Sequence, residues 1–405
     1  MSLRGGLAGQ TLLLTFAQWL SLAVGFFATV LIARALGPEG RGLYAWLLTL
    51  TGLAVQVAAL APAQTVRGIA GELGDEPAFV PTLMALSLFG TLLGLPVFVF
   101  AWAELPGEAR GVLLFVAWAA VPLTAAAVSI IAFVQIEQRV WPILWAHLGP
   151  KLALLVGAGA LWASDRLDLG AAVWLNTLVA VVQLGLLLLL LPSRPASRPS
   201  FALARRVAGL IGAGWVAALA LFAVPRASLI LLGSLGMLAE AGQYSVALAL
   251  FEILIVLPVA ASGVLTTHLL RLPEARPGWL GALRLAGLMA VISLVALALA
   301  PVLVPFLFGA VFRPAAGAFQ GLLAAVMLGT IYQYCQGVLQ ARGQASEILL
   351  PPVLALLMSL PVAWLAVPRL GAEGAVIGTI VGYAVLAGAA ALLARRPGTD
   401  PSPAR

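Results

Sequence analysis

Residues 11–66 read TLLLTFAQWLSLAVGFFATVLIARALGPEGRGLYAWLLTLTGLAVQVAALAPAQTV. Two apolar runs, 11–33 and 43–66, flank nine residues, Arg34 to Gly42, that carry three charges and a Gly-Pro pair. Each run matches the ~20 helical residues needed to cross a hydrocarbon core. Neither alternates polar with apolar residues, so each reads as a helix and not as a barrel strand. A short polar turn separates them. The stretch is a membrane-spanning helical hairpin.

The rest of the chain repeats that rhythm. Further runs lie at 79–103, 111–135, 143–163, 169–192, 206–233, 242–268, 279–300, 318–340, 347–367 and 371–393. With 62% hydrophobic and 9% charged residues over 405 positions, the chain has too little polar surface to fold in water. It is an all-α polytopic membrane protein of about twelve transmembrane helices. The first run is too long for a signal peptide and leads straight into the second.

Charge sets the expected orientation. With a cytoplasmic N-terminus, fourteen Arg residues fall on inner segments and six on outer ones. By the positive-inside rule both termini are cytoplasmic, and the expected location is the inner membrane. The net charge of +7 is therefore mainly a topology signal. Nucleic acid is not expected as a partner, since no basic cluster sits on a soluble domain. Cys335 stands alone in an apolar run, without metal-ligand spacing, and reads as a buried structural thiol. No glycine loop with Lys offers a phosphate cradle, and no cofactor is implied. Asp165 and Asp168 share a short outer turn that solvates carboxylates readily, so no catalytic pair is read there.

The longest polar break reads Pro-Ser-Arg-Pro-Ala-Ser-Arg-Pro-Ser from Pro192 to Ser200, a solvated linker at the middle of the chain. It divides an N-terminal six-helix lobe (1–192) from a C-terminal one (206–395), with a cytoplasmic linker at 193–205 and a flexible tail at 396–405. Weak internal matches support a duplication. Leu36-Gly37 corresponds to Leu235-Gly236, Gly42 and Tyr44 to Gly242 and Tyr244, Gln135 to Gln340, and Gly170-Ala171 to Gly374-Ala375. An offset of six helices restores the same orientation, so the two lobes form a parallel pseudo-twofold repeat. Facing lobes leave a space between them that rocking exposes to either side, the geometry of alternating access.

Charges inside the runs are the candidate functional residues, because lipid penalises them by ~2.5–3.5 kcal/mol each on insertion scales. Arg226 follows Pro225 mid-span, and Glu252 lies at comparable depth in the next run. They form either a structural ion pair or a cavity wall on which the Arg226 fork binds an anionic headgroup. Lys151, the only lysine, is four residues after His147 on nearly one helix face. The pair either meets phosphate or relays a proton, or Lys151 snorkels to the interface. Arg67, at an inner helix end, is a substrate-binding candidate or a plain anchor. Glu252 and His147 are the titratable candidates for coupling, and Pro225 and Pro258 the candidate hinges. Intramembrane Gln183 and Gln333 are expected to bond between helices, and Gly374, Gly378 and Gly382 to form a close-packing seam.

The stretch Ala33 to Tyr44 resembles a hallmark of the O-antigen-type polysaccharide flippases of the multidrug/oligosaccharidyl-lipid/polysaccharide exporter superfamily. Glu240 to Ala247 with Pro258 downstream, Pro305 to Gly309, Gln340 to Gly343 and Leu370 to Ala375 fit the same resemblance, in order along the chain. It implies translocation of an undecaprenyl-pyrophosphate-linked oligosaccharide from the inner to the outer leaflet for cell-surface polysaccharide synthesis, with cationic cavity residues on the pyrophosphate. Arg226 and Lys151, and less directly Arg67, carry that charge here. The implied partners are the lipid-linked substrate, membrane lipids and polysaccharide polymerase or ligase machinery; oligomeric state stays open. The first run has no Asp or Glu, which weighs against the alternative, a cation-coupled small-molecule or drug exporter of the same superfamily. A membrane glycosyltransferase, polymerase or ligase would bring a large outer loop, which this chain lacks, so a transporter and not an enzyme is expected.

Overall fold

The structure is a computed structural model and describes residues 7–59, 78–105, 111–136, 140–190, 197–271, 279–343 and 345–396. Twelve α-helices and one 3-10 turn account for its regular structure, with no strand among the described residues. They are α1 (Leu7–Ala58), α2 (Phe79–Leu93), α3 (Leu95–Glu104), α4 (Gly111–Ile136), α5 (Val140–Ala163) and α6 (Leu169–Leu190), then α7 (Phe201–Ser234), α8 (Leu238–Arg271), α9 (Trp279–Phe308), α10 (Arg313–Arg342), α11 (Ala345–Leu370) and α12 (Ala372–Arg395).

The opening hairpin differs from its sequence reading. No nine-residue loop separates the first two runs: helix continues through both and breaks at Gly37 alone, with φ 65° and ψ −178°. Gly37 takes a conformation closed to residues with a Cβ, and Pro38 starts the next arm, where its missing N–H costs nothing. The apolar Trp19–Ala58 segment is 40 residues long, about twice what one crossing needs. The reverse happens in the third run, which is broken into α2 and α3 with a 40° bend at Gly94, Pro96 opening the second piece. Ten described helices are long and apolar enough to cross a membrane, and the α2–α3 pair makes an eleventh. Divided at Gly37, α1 supplies two, which brings the count to twelve.

Several helices also outrun their apolar segments. α7 starts at Phe201, capped by the Ser200 hydroxyl accepting from the Leu203 N–H at 3.3 Å. α9 continues to Phe308 through Pro301 and Pro305. Because neighbouring helices alternate in direction, the turns at Gly37, Asp165, Gly236, Gly309 and Gly371 share one face of the bundle, the Gly37 face. All five residues adopt positive φ, so these reversals are tight.

Packing divides the helices into two groups. In the first, α1 lies against α5, α4 and α2, and α6 against α4 and α5; in the second, α10 lies against α8, α12 and α9, and α11 against α7 and α12. The second core holds the buried rings of Tyr244, Phe251, Phe308, Phe312 and Tyr332. The expected small-residue seam is present: a methyl on Gly374 would stand 2.4 Å from the Ala366 carbonyl oxygen of α11. Gln183 donates to the Ala146 carbonyl oxygen at 3.4 Å, an interhelical bond as expected. Across the groups, α1 packs on α8 and α7. The start of α7, through Leu203, Val207 and Trp215, lies on the first group at the face opposite Gly37.

Candidate functional site: charges at the lobe interface

Proline shapes the segment that presents Arg226. Pro225 cannot bond back along α7, and its own carbonyl oxygen accepts from the Tyr244 hydroxyl at 2.7 Å. Tyr244 also shares a 2.7 Å hydrogen bond with Thr379, so α7, α8 and α12 meet at Pro225. One residue on, Arg226 Nη2 donates to Glu252 Oε1 of α8. The guanidinium carbon lies 4.3 Å from the centroid of the Phe222 ring, one turn earlier on α7. That ring rests against Gly52 of α1, in the other lobe. The two readings of Arg226 and Glu252 are therefore not exclusive. They are ion-paired, yet 25% and 43% of their side chains stay accessible, at a membrane depth where an ion pair with no further role is normally sealed.

Lys151 approaches from the first lobe. Its stem covers Gly25 of α1, where an added methyl would meet its Cδ at 3.1 Å. Its side chain is otherwise exposed. His147 precedes it by one turn on α5, as the spacing predicts, and feels the Lys151 charge. The His147 backbone oxygen accepts from Ser21 at 2.8 Å, while Nε2 is buried without a partner among the described residues. Pro258 is buried in α8, six residues beyond Glu252. Arg67 lies outside the described residues.

Arg41 was missed. The sequence reading placed it in an outer loop as a topology charge, but the loop is helix, and Arg41 is buried in it at 8% exposure. Its Nε donates to Ser245 Oγ of α8 at 3.2 Å, and its guanidinium lies 5.5 Å from the Tyr44 ring. Glu252 is paired with Arg226, while Lys151 and Arg41 carry further positive charge on α5 and α1 of the first lobe. Such a surplus of positive charge suits an anion that brings its own negative charge. Among the described residues no group of His, Cys, Asp and Glu is arranged to hold a metal.

An apolar groove of about 480 Å³ between α9 and α10, lined by Leu283, Ala286, Ile331 and Tyr334 among others, is separate from these charges. Cys335 on its wall is buried.

The fold defines a class: membrane helices packed in two lobes, with the longest helix, α1, lying against α7 and α8 of the other lobe. Solved structures share it. The lipid II flippase MurJ in an inward-closed conformation matches with a TM-score of 0.73 at 11% identity, over 95% of this chain and 88% of that one. The eukaryotic MATE transporter AtDTX14 matches at 0.68 and 16% identity, over 95% of each chain. An inward-facing multidrug resistance MATE family transporter of the MOP superfamily matches at 0.62 and 15%, over 92% of this chain and 94% of its own. At these identities the likeness is one of fold. No family model matches the sequence, and no curated protein does.

Proposed function

We propose that the protein is a flippase that carries an undecaprenyl-pyrophosphate-linked oligosaccharide from the cytoplasmic to the outer leaflet of the inner membrane, supplying cell-surface polysaccharide synthesis. The observation that carries the reading is the accessible ion pair of the second lobe: Arg226 is bonded to Glu252 while 25% and 43% of the two side chains stay accessible. A pyrophosphate compensates cations better than one carboxylate does, so it displaces Glu252 from Arg226 and takes the planar donor fork. The polyprenyl tail stays in lipid while the headgroup crosses between the lobes.

In this reading the lobes, 1–192 and 206–395, rock about the interface, joined by the cytoplasmic segment 193–205, with both termini cytoplasmic. Pro225 and Pro258 absorb the bending, and Arg67 meets the headgroup at the inner side. Polymerase or ligase machinery takes the delivered glycan. Glu252 and His147 are the groups through which a proton would be coupled.

The second reading is cation-coupled export of a small molecule, and the MATE-type fold favours it. Glu252 is then the cation site, and surface glycan is irrelevant. The deciding experiment measures lipid-linked glycan and surface polysaccharide in a strain lacking the gene, complemented by wild type or by R226A. Accumulated undecaprenyl-pyrophosphate oligosaccharide, relieved by wild type alone, supports the flippase and a working Arg226. Unchanged pools and surface glycan, with no second flippase present, point to the exporter.

A further inference from the structure

The motif around Gly37 has an echo 199 or 200 residues later, and the structure gives the echo a physical meaning. Gly37 and Gly236 both adopt positive φ, 65° and 73°, so each lobe enters its second arm through the same kind of break. The two breaks cross each other. A methyl on Gly42 would stand 1.9 Å from the Leu238 carbonyl oxygen, and a methyl on Gly242 would stand 2.0 Å from the Pro38 carbonyl oxygen. Each glycine of one lobe is seated on the first turn of the other. Both obstacles are helix backbone, which cannot swing aside as a side chain would.

Other bonds cross the same seam. Arg34 of α1 donates from Nε to the Leu307 carbonyl oxygen at 2.6 Å and from Nη2 to that of Phe306 at 2.5 Å, covering the end of α9. The Trp46 indole donates to the Ile230 carbonyl oxygen at 3.1 Å and lies flush on Gly233 of α7. Arg41 reaches Ser245 just behind the crossing. All join α1 to the second lobe at or near the Gly37 face.

We propose that the reciprocal seating of Gly42 and Gly242 is the seal by which the two lobes close the Gly37 face, and that one methyl at either position holds that face open. The methyl obstructs only the contact between lobes, and each lobe keeps its own core. Gly90 and Gly374 are equally crowded, 2.2 Å from the Ala58 carbonyl oxygen and 2.4 Å from that of Ala366, but inside one lobe. The inference rests on the rocking motion proposed above and adds where the closure lies.

The test replaces Cys335 by Ala and introduces S245C, a position 5% exposed behind the seal. A membrane-impermeant maleimide is then applied from the Gly37 face. With the seal intact labelling is slow; G42A and G242A are each expected to raise its rate about tenfold, the response to a modest shift in a two-state equilibrium. G90A and G374A are expected to leave the rate alone. Folded G42A and G242A proteins that label no faster than the parent overturn the proposal. Should neither fold, R34A removes two bonds from the same seam without crowding it, and an unchanged rate in R34A overturns the proposal equally. Labelling reads the face and not the cargo, so its failure beside intact lipid-linked glycan transport sinks the seal and leaves the flippase.

Discussion

Arg226 is held from below by the Phe222 ring and from the side by Glu252, so its charge and its shape separate experimentally. Lysine keeps the charge but neither stacks as a plane nor donates in a fork. R226K is therefore expected to lower the flipping rate about tenfold, and R226A to lower it further, in a lipid-linked glycan pool assay; equal activity of R226K and wild type would show that charge alone suffices. On the proposed reading, Glu252 competes with the substrate for Arg226. E252Q is expected to bind an anionic pyrophosphate lipid several-fold more tightly, about 1 kcal/mol by the arithmetic of affinity, as read by ligand-induced thermal stabilisation. Weaker binding would make Glu252 an organiser of Arg226 and not its competitor. Charge and depth made Arg226, Glu252 and Lys151 legible in the sequence, because a costly residue in lipid needs a reason. Arg41 was not legible, because its inward aim depends on a helix that runs on where a loop was expected.

At the scale of helices, the seam between α11 and α12 and the junction at Pro225 carry separable stability. Gly374 admits no side chain, whereas a methyl on Gly263 of α8 would meet nothing within 4 Å. G374A is expected to cost about 1–3 kcal/mol by overpacking and G263A to be near neutral, in thermal melts of detergent-purified protein. Similar melting temperatures would remove the seam from the account. Y244F deletes the bonds to Pro225 and Thr379. It is expected to cost about 1 kcal/mol in an unfolding titration. A variant as stable as wild type would mean that the junction at Pro225 holds without this tie. The sequence placed the runs well but their ends poorly. Apolar composition stops at the lipid boundary, while a helix stops where its backbone finds a cap, as Ser200 does for α7. Gly374, Gly378 and Gly382 were readable from spacing; the bend at Gly94 was not, because composition is unchanged across it.

At the scale of the whole molecule, the surplus of Arg on the face opposite Gly37 predicts the orientation. A C-terminal fluorescent or phosphatase fusion is expected to report a cytoplasmic tail; a periplasmic signal would invert every sided statement in the proposal. By itself the sequence determined that the chain crosses a membrane as some twelve helices, and its weak internal matches pointed to two related halves. Hydrocarbon rejects unsatisfied backbone and charge so strongly that composition and spacing leave few alternatives. Only the tertiary structure decided how the halves touch. That Gly42 sits on Leu238 while Gly242 sits on Pro38, and that Arg226 of α7 meets Glu252 of α8 while Arg41 of α1 meets Ser245, depends on surfaces brought together from distant parts of the chain. No periodicity along one helix encodes the partner that will face it.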